Sequence, residues 1–257
     1  MADLGGPSRG ARARMLLRSF AVQGSWNYQT LIGTGLAFVL APALKEVYAG
    51  DAEALRRALG RHTELFNSHP YLASVAAGAV ARLEADGVPA ETVARFKAAV
   101  RGSLGTLGDR LVWLMWRPMS VLLGLALVLA GAAWWVGALA FLLVFNALHL
   151  WMRAWGLRIG LRDGLQIGRT LKGVPFAQLG DRAAQAGALL AGFAAAVAGS
   201  GHAGVPGLQL PGGMHPVEWG LALLAALLGI ALGPRIRGAA ALAMGLALVA
   251  GLVLART

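Results

Sequence analysis

The sequence contains no cysteine and few charged residues. Its 257 residues include 12 Asp and Glu against 23 Lys and Arg, so that 14% are charged. Without cysteine, this sequence has no disulfide framework, no thiolate metal site and no cysteine nucleophile. About a quarter of the residues in a typical soluble domain are charged, and disordered chains are more polar still. The composition therefore argues against both classes.

Apolar and small residues fill the place of the missing charge. Hydrophobic residues make up 57% of the chain, glycine contributes 36 residues, and the mean hydropathy is +0.62. Small residues let transmembrane helices approach closely. The formal charge of +11 is spread between apolar segments, a pattern that favours membrane topology and contact with anionic lipid over nucleic-acid binding. The basic N-terminal residues lack the features of a secretory signal peptide.

The longest apolar run covers residues 118–152, with Arg117 before it and Arg153 after it. Cytoplasmic ends of membrane segments carry excess Lys and Arg, so both ends are expected in the cytoplasm. One span needs about 20 apolar residues and two need about 40. The run therefore predicts a re-entrant or short hairpin that turns near residues 131–137, and a single long tilted helix is the alternative.

We expect an all-α polytopic membrane protein. The N-terminal part, 1–117, carries polar motifs, and the transmembrane part, 118–257, contains a basic cytoplasmic segment at 153–182. About three C-terminal transmembrane spans are predicted: 183–201, 217–233 and 238–255.

The N-terminal part contains shorter apolar runs at 31–44 and 71–83. Segments of about 13–14 residues are interfacial, re-entrant or core helices more often than full spans. Two amphipathic, water-exposed cytoplasmic helices are predicted at 51–66 and 90–101, the first with Asp51 as its N-cap.

Polar residues precede each of the short apolar runs. Segment 23–29 contains Gln23, Trp26 and Asn27. Amides bond to sugar hydroxyls and an indole stacks on the C–H face of a sugar, so these residues are candidates for sugar binding. The alternative is an interfacial anchor, with Trp26 and Tyr28 at the depth of the lipid headgroups.

The second polar segment, 66–71, offers Asn67 as a ligand for sugar hydroxyls and His69 as a neighbouring donor. The alternative assigns Asn67 and Ser68 to capping of the next helix, with Pro70 in its first turn.

Three glycines in segment 102–110 permit tight packing or a broken helix next to Asp109. Glycine-broken helices build substrate sites in transporters. The alternative is helix packing with an ion pair from Asp109 to Arg110 or Arg117. A fourth segment, 155–164, is glycine-spaced and basic, which predicts a solvated or lipid-facing turn or, alternatively, a docking site for an acidic partner.

In order and wording, these segments resemble the IID subunits of the mannose/fructose/sorbose class of bacterial phosphotransferase permeases. Residues 17–28 resemble the family's opening segment, and residues 61–71 are similar to its Phe-Asn-Thr-His/Gln-Pro signature. Residues 102–118 resemble its Gly-Pro-Leu-Ala-Gly-Val-Gly-Asp-Pro/Ser block, which Phe-Trp and Arg-Pro follow. The likeness extends from about residue 16 to residue 176.

The resemblance implies a multi-pass protein of the bacterial inner membrane, with a cytoplasmic N-terminus, that pairs with a IIC subunit in a hetero-oligomer. Soluble IIA and IIB partners would pass phosphate from phosphoenolpyruvate to a hexose-type sugar. This chain is then expected to be a non-catalytic permease subunit without cofactor or metal. The residues expected to bind the sugar are Gln23, Trp26, Asn27, Asn67 and Asp109.

Three positions depart from the family pattern: Ser103, Thr106 and Arg110 stand where it has Pro, Gly and Pro/Ser. A guanidinium that paired with Asp109 would alter or close a site for a neutral sugar. The alternative hypothesis is therefore a transport-inactive regulatory or scaffold member that docks phosphotransferase components. A membrane-embedded enzyme is the weakest hypothesis, because the sparse acids and scattered histidines form no acid/base or metal set.

Overall fold

The computed structural model describes residues 6–199, with side chains to residue 194, and the regular structure of that part is helical. A π-helical stretch, Asp109–Trp116, joins α5 to α6, and a 3₁₀ turn, Gly164–Gln166, joins α7 to α8. The helices are α1 Arg9–Ser19, α2 Gly33–Val47, α3 Ala52–His62, α4 Ala73–Ala85, α5 Ala90–Gly108, α6 Arg117–Leu129, α7 Trp134–Asp163, α8 Ile167–Gly173 and α9 Phe176–Gly199. The predicted spans 217–233 and 238–255 lie outside the described residues.

The described chain divides into two compact units. The first contains residues 6–116 and 144–181, and the second contains 117–143 and 182–199. The first unit holds the polar segments singled out above.

The apolar runs 31–44 and 71–83 form α2 and α4, the core helices of the first unit. Every residue of α4 from Ala73 to Ala81 is buried. Because these residues are small, a neighbouring helix can approach the α4 backbone closely. Both runs therefore form core helices, and whether they also re-enter the membrane stays a prediction.

Helix α7 packs against α4 through the fourth segment, 155–164. A Cβ atom at Gly78 would lie 2.5 Å from the carbonyl oxygen of Leu157, and one at Gly160 would collide with the carbonyl oxygen of Val75. The prediction of a solvated turn is wrong here. The glycines serve a close helix crossing, and the chain turns only at Gly164, where φ is +51°.

The two amphipathic helices differ from their predictions in length and exposure. Helix α3 begins as predicted, because Asp51 accepts a hydrogen bond from the Ala54 amide at 2.8 Å, but it ends at His62. Helix α5 continues to Gly108 rather than ending near residue 101. It buries Val93 and Phe96, so one face of α5 belongs to the core.

The apolar run 118–152 contains a turn between two helices. Helix α6 ends at Leu129 and α7 begins at Trp134, with Gly131 at φ +97° between them. The single-helix alternative is therefore wrong. By length and composition, the helical stretches Ala90–Leu129 and Trp134–Gly173 on either side of this turn could each cross a membrane. The two helical arms of the hairpin are therefore longer than those of the short hairpin that was predicted. That this hairpin re-enters the membrane stays a prediction.

Candidate functional site

The loop after α1 is organised by the side chain of Asn27. Its Oδ1 accepts hydrogen bonds from the amides of Gln29 and Thr30 at 3.0 and 2.9 Å. Its Nδ2 donates to the Ser25 carbonyl at 3.2 Å and to the Thr30 hydroxyl at 2.8 Å. An amide offers two donors and two acceptors, so Asn27 uses its full capacity within the loop. A ligand contact at Asn27 would have to replace one of these bonds.

Main-chain hydrogen bonds connect this loop to the second polar segment. The Ile32 amide donates to the Phe66 carbonyl at 3.0 Å, and the Phe66 amide donates to the Thr30 carbonyl at 3.2 Å. Leu31 lies between them with φ +54°, a conformation that residues with a side chain rarely adopt. Phe66 is fully buried. Its two main-chain hydrogen bonds therefore fix where the next residue, Asn67, lies relative to the loop.

Asn67 and Ser68 do not cap the next helix. Helix α4 begins at Ala73, and its N-cap residue, Leu72, makes no side-chain cap bond. Ser68 instead donates to the carbonyl of the neighbouring His69 at 3.3 Å. The capping interpretation is wrong, and the Asn67 side chain is exposed.

The third segment packs directly on the second. A Cβ atom at Gly108 would collide with the side chain of His69, and one at Gly105 would lie 4.0 Å from the Cα of Ser68. Tight packing is therefore the correct alternative at Gly108, whereas Gly105 makes only ordinary contact and a Cβ at Gly102 would meet no atom within 4 Å. The helix is not broken; it continues from Gly108 into the π-helical stretch, a form that is frequent at functional sites.

We call segments 23–32, 66–71 and 105–113 together the motif junction, since they meet in the first unit. The five predicted sugar-binding residues all belong to it. Four have exposed side chains in this chain by itself and Asn27 is half-buried; the exposed ones are Gln23, Trp26, Asn67 and Asp109. The described residues of the chain do not enclose them.

An aromatic pair lies on the exposed loop of the motif junction. The rings of Trp26 and Tyr28 meet edge to face with centroids 4.8 Å apart. Trp26 is 46% exposed and Tyr28 is 90% exposed. Large exposed aromatic surfaces of this kind are typical of binding surfaces and membrane interfaces.

Arg110 does not pair with Asp109. Its guanidinium lies 3.5 Å from the Asp181 carboxylate, and both side chains are more than half exposed. Across residues 6–199 no ion pair of Asp109 is formed. The predicted charge neutralisation at Asp109 is therefore wrong, and its carboxylate is available for hydroxyl groups.

Beneath the exposed residues, His69 is buried among rings. Its Nδ1 accepts from the Tyr71 amide at 3.3 Å, so the proton of the neutral ring is on Nε2. That Nε2 has no hydrogen-bond partner in the described part of the chain. Burial lowers the pKa of His69 to about 4, and the nearby charge of Arg153 adds to the shift. His69 is thus a neutral donor at pH 7.

The buried carboxylate of Glu84 connects the ends of several helices next to the motif junction. It accepts from the Tyr48 hydroxyl at 2.6 Å and from Arg61 at 2.5 Å. It also binds His62 Nε2 at 2.9 Å, and Lys97 donates to the Arg61 carbonyl at 2.7 Å. These bonds connect α2, α3, α4 and α5 just before segment 66–71. We call this group the Glu84 cluster.

The hydrogen bonds decide the charge of Glu84. Burial by itself would raise its pKa, but bonds from His62, Arg61 and Tyr48 outweigh burial and lower the pKa to about 2. Burial lowers the pKa of His62, although its bond to Glu84 opposes the shift. No group of three or more His, Asp or Glu in the described residues is placed to hold a metal ion.

The comparisons with known proteins decide the family. The profile of the PTS system mannose/fructose/sorbose family IID component matches residues 8–200. The chain belongs to this family. The predicted family is therefore confirmed.

Curated IID components align with about three fifths of the chain. It is 31% identical over 164 residues to the mannose-specific EIID component of Escherichia coli K12, which is 62% of this chain and 57% of that protein. It is 32% identical to the fructose permease IID component of Bacillus subtilis, with 62% and 58% covered. The sorbose-specific EIID component of Klebsiella pneumoniae is 34% identical, with 62% and 59% covered. The chain thus spans less than two thirds of each relative.

Solved structures share the fold. One membrane protein superposes with a TM-score of 0.64 at 29% identity, over 72% of this chain and 69% of its own. The mannose transporter ManYZ, solved in complex with microcin E492 (MceA), gives a TM-score of 0.58 at 24% identity, over 97% and 96%. This IID component is accordingly a membrane protein, and its described residues, 6–199, are helical, as predicted.

Sequence reasoning missed two structural positions of this IID component. Glu84 follows the apolar run 71–83 directly, and a carboxylate at the end of so many small apolar residues is the signal that could have identified it. Arg153 follows the apolar run 118–152, and its place in the sequence did not indicate that its side chain is only 3% exposed within α7. No local pattern distinguishes a flanking arginine from a buried one.

Proposed function

We propose that this IID component forms, with a IIC membrane subunit, the sugar-translocating unit of a phosphoenolpyruvate-dependent transporter of the mannose/fructose/sorbose class. Soluble IIA and IIB partners would carry the phosphoryl group, and this chain would catalyse no step. One observation carries the proposal. Three sequence segments that resemble family motifs meet in the motif junction, and the amides, the indole and the carboxylate that they carry are exposed.

Each exposed side chain has a distinct role in this proposal. Gln23 and Asn67 donate and accept hydrogen bonds with sugar hydroxyls, and Asp109 accepts from them. Trp26 stacks on the apolar face of the sugar ring. Asn27 shapes the loop that carries Gln23 and Trp26, because its own hydrogen bonds are made within that loop.

The exposure of these residues calls for a second wall. Ligand sites bury most of their ligand's surface, whereas the motif junction by itself leaves its polar groups open to water. In our proposal the IIC subunit supplies the facing wall in a hetero-oligomer of the bacterial inner membrane, surrounded by lipid. The cytoplasmic N-terminus and the functional division at residue 117 stay predictions.

Asn67→Ala is expected to weaken sugar binding without unfolding the protein. The side chain is exposed and makes no cap, so the midpoint of thermal unfolding should not change. A lost hydrogen bond of about 1 kcal/mol corresponds to a roughly fivefold rise in Kd. Binding of mannose, fructose and sorbose to the purified complex with IIC would be measured by calorimetry. Gln178→Ala, an exposed amide on α9, is the control.

Unchanged affinity in a folded Asn67→Ala complex would remove Asn67 from the site. The wider proposal is tested by purifying the tagged chain from native membranes in mild detergent. A IIC subunit is expected in equimolar amount, and recovery of the chain as a monomer contradicts the proposal.

Arg110 favours the second candidate, a regulatory or scaffold member that moves no sugar, because the family pattern has Pro or Ser at this position. Its pairing with Asp181 leaves Asp109 open, which argues for retained transport. If transport is retained, Arg110→Ser is expected to change uptake of labelled sugar less than twofold. The free energy of unfolding should change by less than about 1 kcal/mol, since exposed ion pairs contribute little. Uptake that appears only in the Arg110→Ser complex would instead support the scaffold function of the natural chain.

A further inference from the structure

Arg153 of α7 is a buried cation that reaches two segments distant in sequence. Its Nη1 donates to the carbonyl oxygen of Ser19, the last residue of α1. Its Nε donates to His149 Nε2 at 2.7 Å. The guanidinium also lies over the rings of Phe20 and Tyr71, at 5.0 and 5.1 Å from their centroids.

The contacts of Arg153 in the described part of the chain carry no negative charge. They are a carbonyl, an imidazole and two aromatic rings. A buried charge without an opposite charge is costly, and an apolar side chain of similar volume often stabilises a core more. Packing alone therefore does not account for an arginine at this position.

Both segments that Arg153 holds belong to or border the motif junction. Ser19 and Phe20 form the corner from which the loop carrying Gln23 departs. Tyr71 is the last residue of segment 66–71, the segment that also contains Asn67. One guanidinium thus fixes the distance between the two segments that carry the proposed sugar ligands.

Two hydrogen bonds along α7 orient the imidazole of His149, which stacks on the ring of Tyr71. Because His149 Nε2 accepts from Arg153, the proton of the neutral ring is on Nδ1, which donates to Asn146 Oδ1 at 3.2 Å. The imidazole is held at both nitrogens and stacks on Tyr71 at 4.1 Å. Tyr71 in turn contacts Trp113 of segment 105–113 in the motif junction, with centroids 6.0 Å apart.

We propose that Arg153 is a positioning residue that sets the geometry of the sugar-binding surface. Arg153 does not contact the sugar. It holds the end of α1 at Ser19 next to Tyr71, and its bond to His149 orients the imidazole that stacks on Tyr71. Its effect on sugar affinity rests on the proposed function, whereas its effect on the geometry of the loop does not.

The planar fork of arginine is the property that this role requires. Two N–H groups point in fixed directions at two acceptors, Ser19 O and His149 Nε2. A lysine ammonium is a flexible point charge that does not reproduce this arrangement. Arg153→Lys therefore tests geometry at constant charge, and Arg153→Met tests loss of charge at similar length. Arg158→Met, an exposed arginine on the same helix, is the matched control.

The experiment combines hydrogen exchange with sugar binding on the purified complex with IIC. In Arg153→Lys and Arg153→Met, amides of residues 27–32 are expected to exchange at least tenfold faster, while amides of the buried helix α4 keep wild-type rates. The Kd for the sugar that the wild type binds best is expected to rise at least tenfold. In uptake assays KM rises while kcat is unchanged. Arg158→Met should match wild type in all of these.

Three results overturn the proposal. Wild-type exchange at residues 27–32 in both variants would show that Arg153 does not hold the loop. Equally accelerated exchange throughout the chain, α4 included, would assign Arg153 a general stabilising role. Faster local exchange with unchanged sugar affinity would separate the loop from the site. If the wild type binds no sugar, the proposed function fails, and the exchange at residues 27–32 decides alone whether Arg153 positions the loop.

Discussion

Glu84→Gln is expected to destabilise the protein by about 3–5 kcal/mol, because it leaves buried partners of a charge pair uncompensated. The carboxylate is 1% exposed and binds Tyr48, Arg61 and His62 within 2.5–2.9 Å. A neutral amide keeps the shape but cannot accept from all three partners or balance the Arg61 charge. Unfolding of the detergent-solubilised protein by heat and by denaturant measures the loss.

Glu53→Gln is the matched control for this prediction. Glu53 binds Arg57 at the same short distance, 2.6 Å, but its side chain is 72% exposed. Exposed pairs on a helix contribute about 0.3–0.5 kcal/mol, so the control should unfold close to wild type. Equal losses in the two variants would show that burial of the Glu84 cluster does not govern its contribution.

The same cluster predicts instability in acid. The pKa of Glu84 is lowered from 4.5 to about 2, so the folded state binds a proton less readily than the unfolded state does. Its stabilisation of about 3 kcal/mol is complete above pH 4.5 and is lost as the pH falls towards 2. His62, whose pKa burial also lowers, adds a loss in the same direction below about pH 6.5. Unfolding midpoints at pH 7, 4.5 and 3 measure this, and Glu84→Gln should flatten the decline below pH 4.5.

Gly108→Ala is expected to destabilise the motif junction by about 1–3 kcal/mol and to weaken sugar binding at least tenfold. The added Cβ would collide with the Cβ and Cγ atoms of His69, and because the backbone fixes the Cβ of His69, rotation of its side chain cannot relieve the clash. Relief requires α5 to move away from segment 66–71, which displaces Asp109 and Asn67 relative to each other. Unfolding midpoints and sugar Kd values of the complex with IIC are the measurements.

Gly102→Ala in the same helix should have the opposite sign. A Cβ at Gly102 meets no atom within 4 Å, and alanine favours a helix over glycine by up to about 1 kcal/mol. The control therefore keeps or gains stability and leaves sugar binding unchanged. If the two alanine variants behave alike, the claim that Gly108 permits close packing between the second and third segments is wrong.

The helices of the first unit were predictable where a local pattern has a local cause. Asp51 caps α3 because its carboxylate can reach an amide three residues on, whatever the rest of the chain does. The apolar runs gave α2 and α4 with bounds close to those predicted. The length of α5 was not predictable, because Gly108, one of the three glycines that suggest a break in isolation, is accommodated by packing on segment 66–71.

The sequence alone was sufficient to determine the class of the protein, a membrane protein of the IID family that is helical over residues 6–199, because hydropathy and the three motifs are properties of short segments. Only the tertiary structure decided which partner each polar group has. It pairs Arg110 with Asp181 rather than Asp109, and it places Arg153 inside the core rather than at its edge. The reason is physical: hydrogen bonds and ion pairs form between groups that the packing of distant helices brings within about 3 Å, and that proximity is written in no single segment.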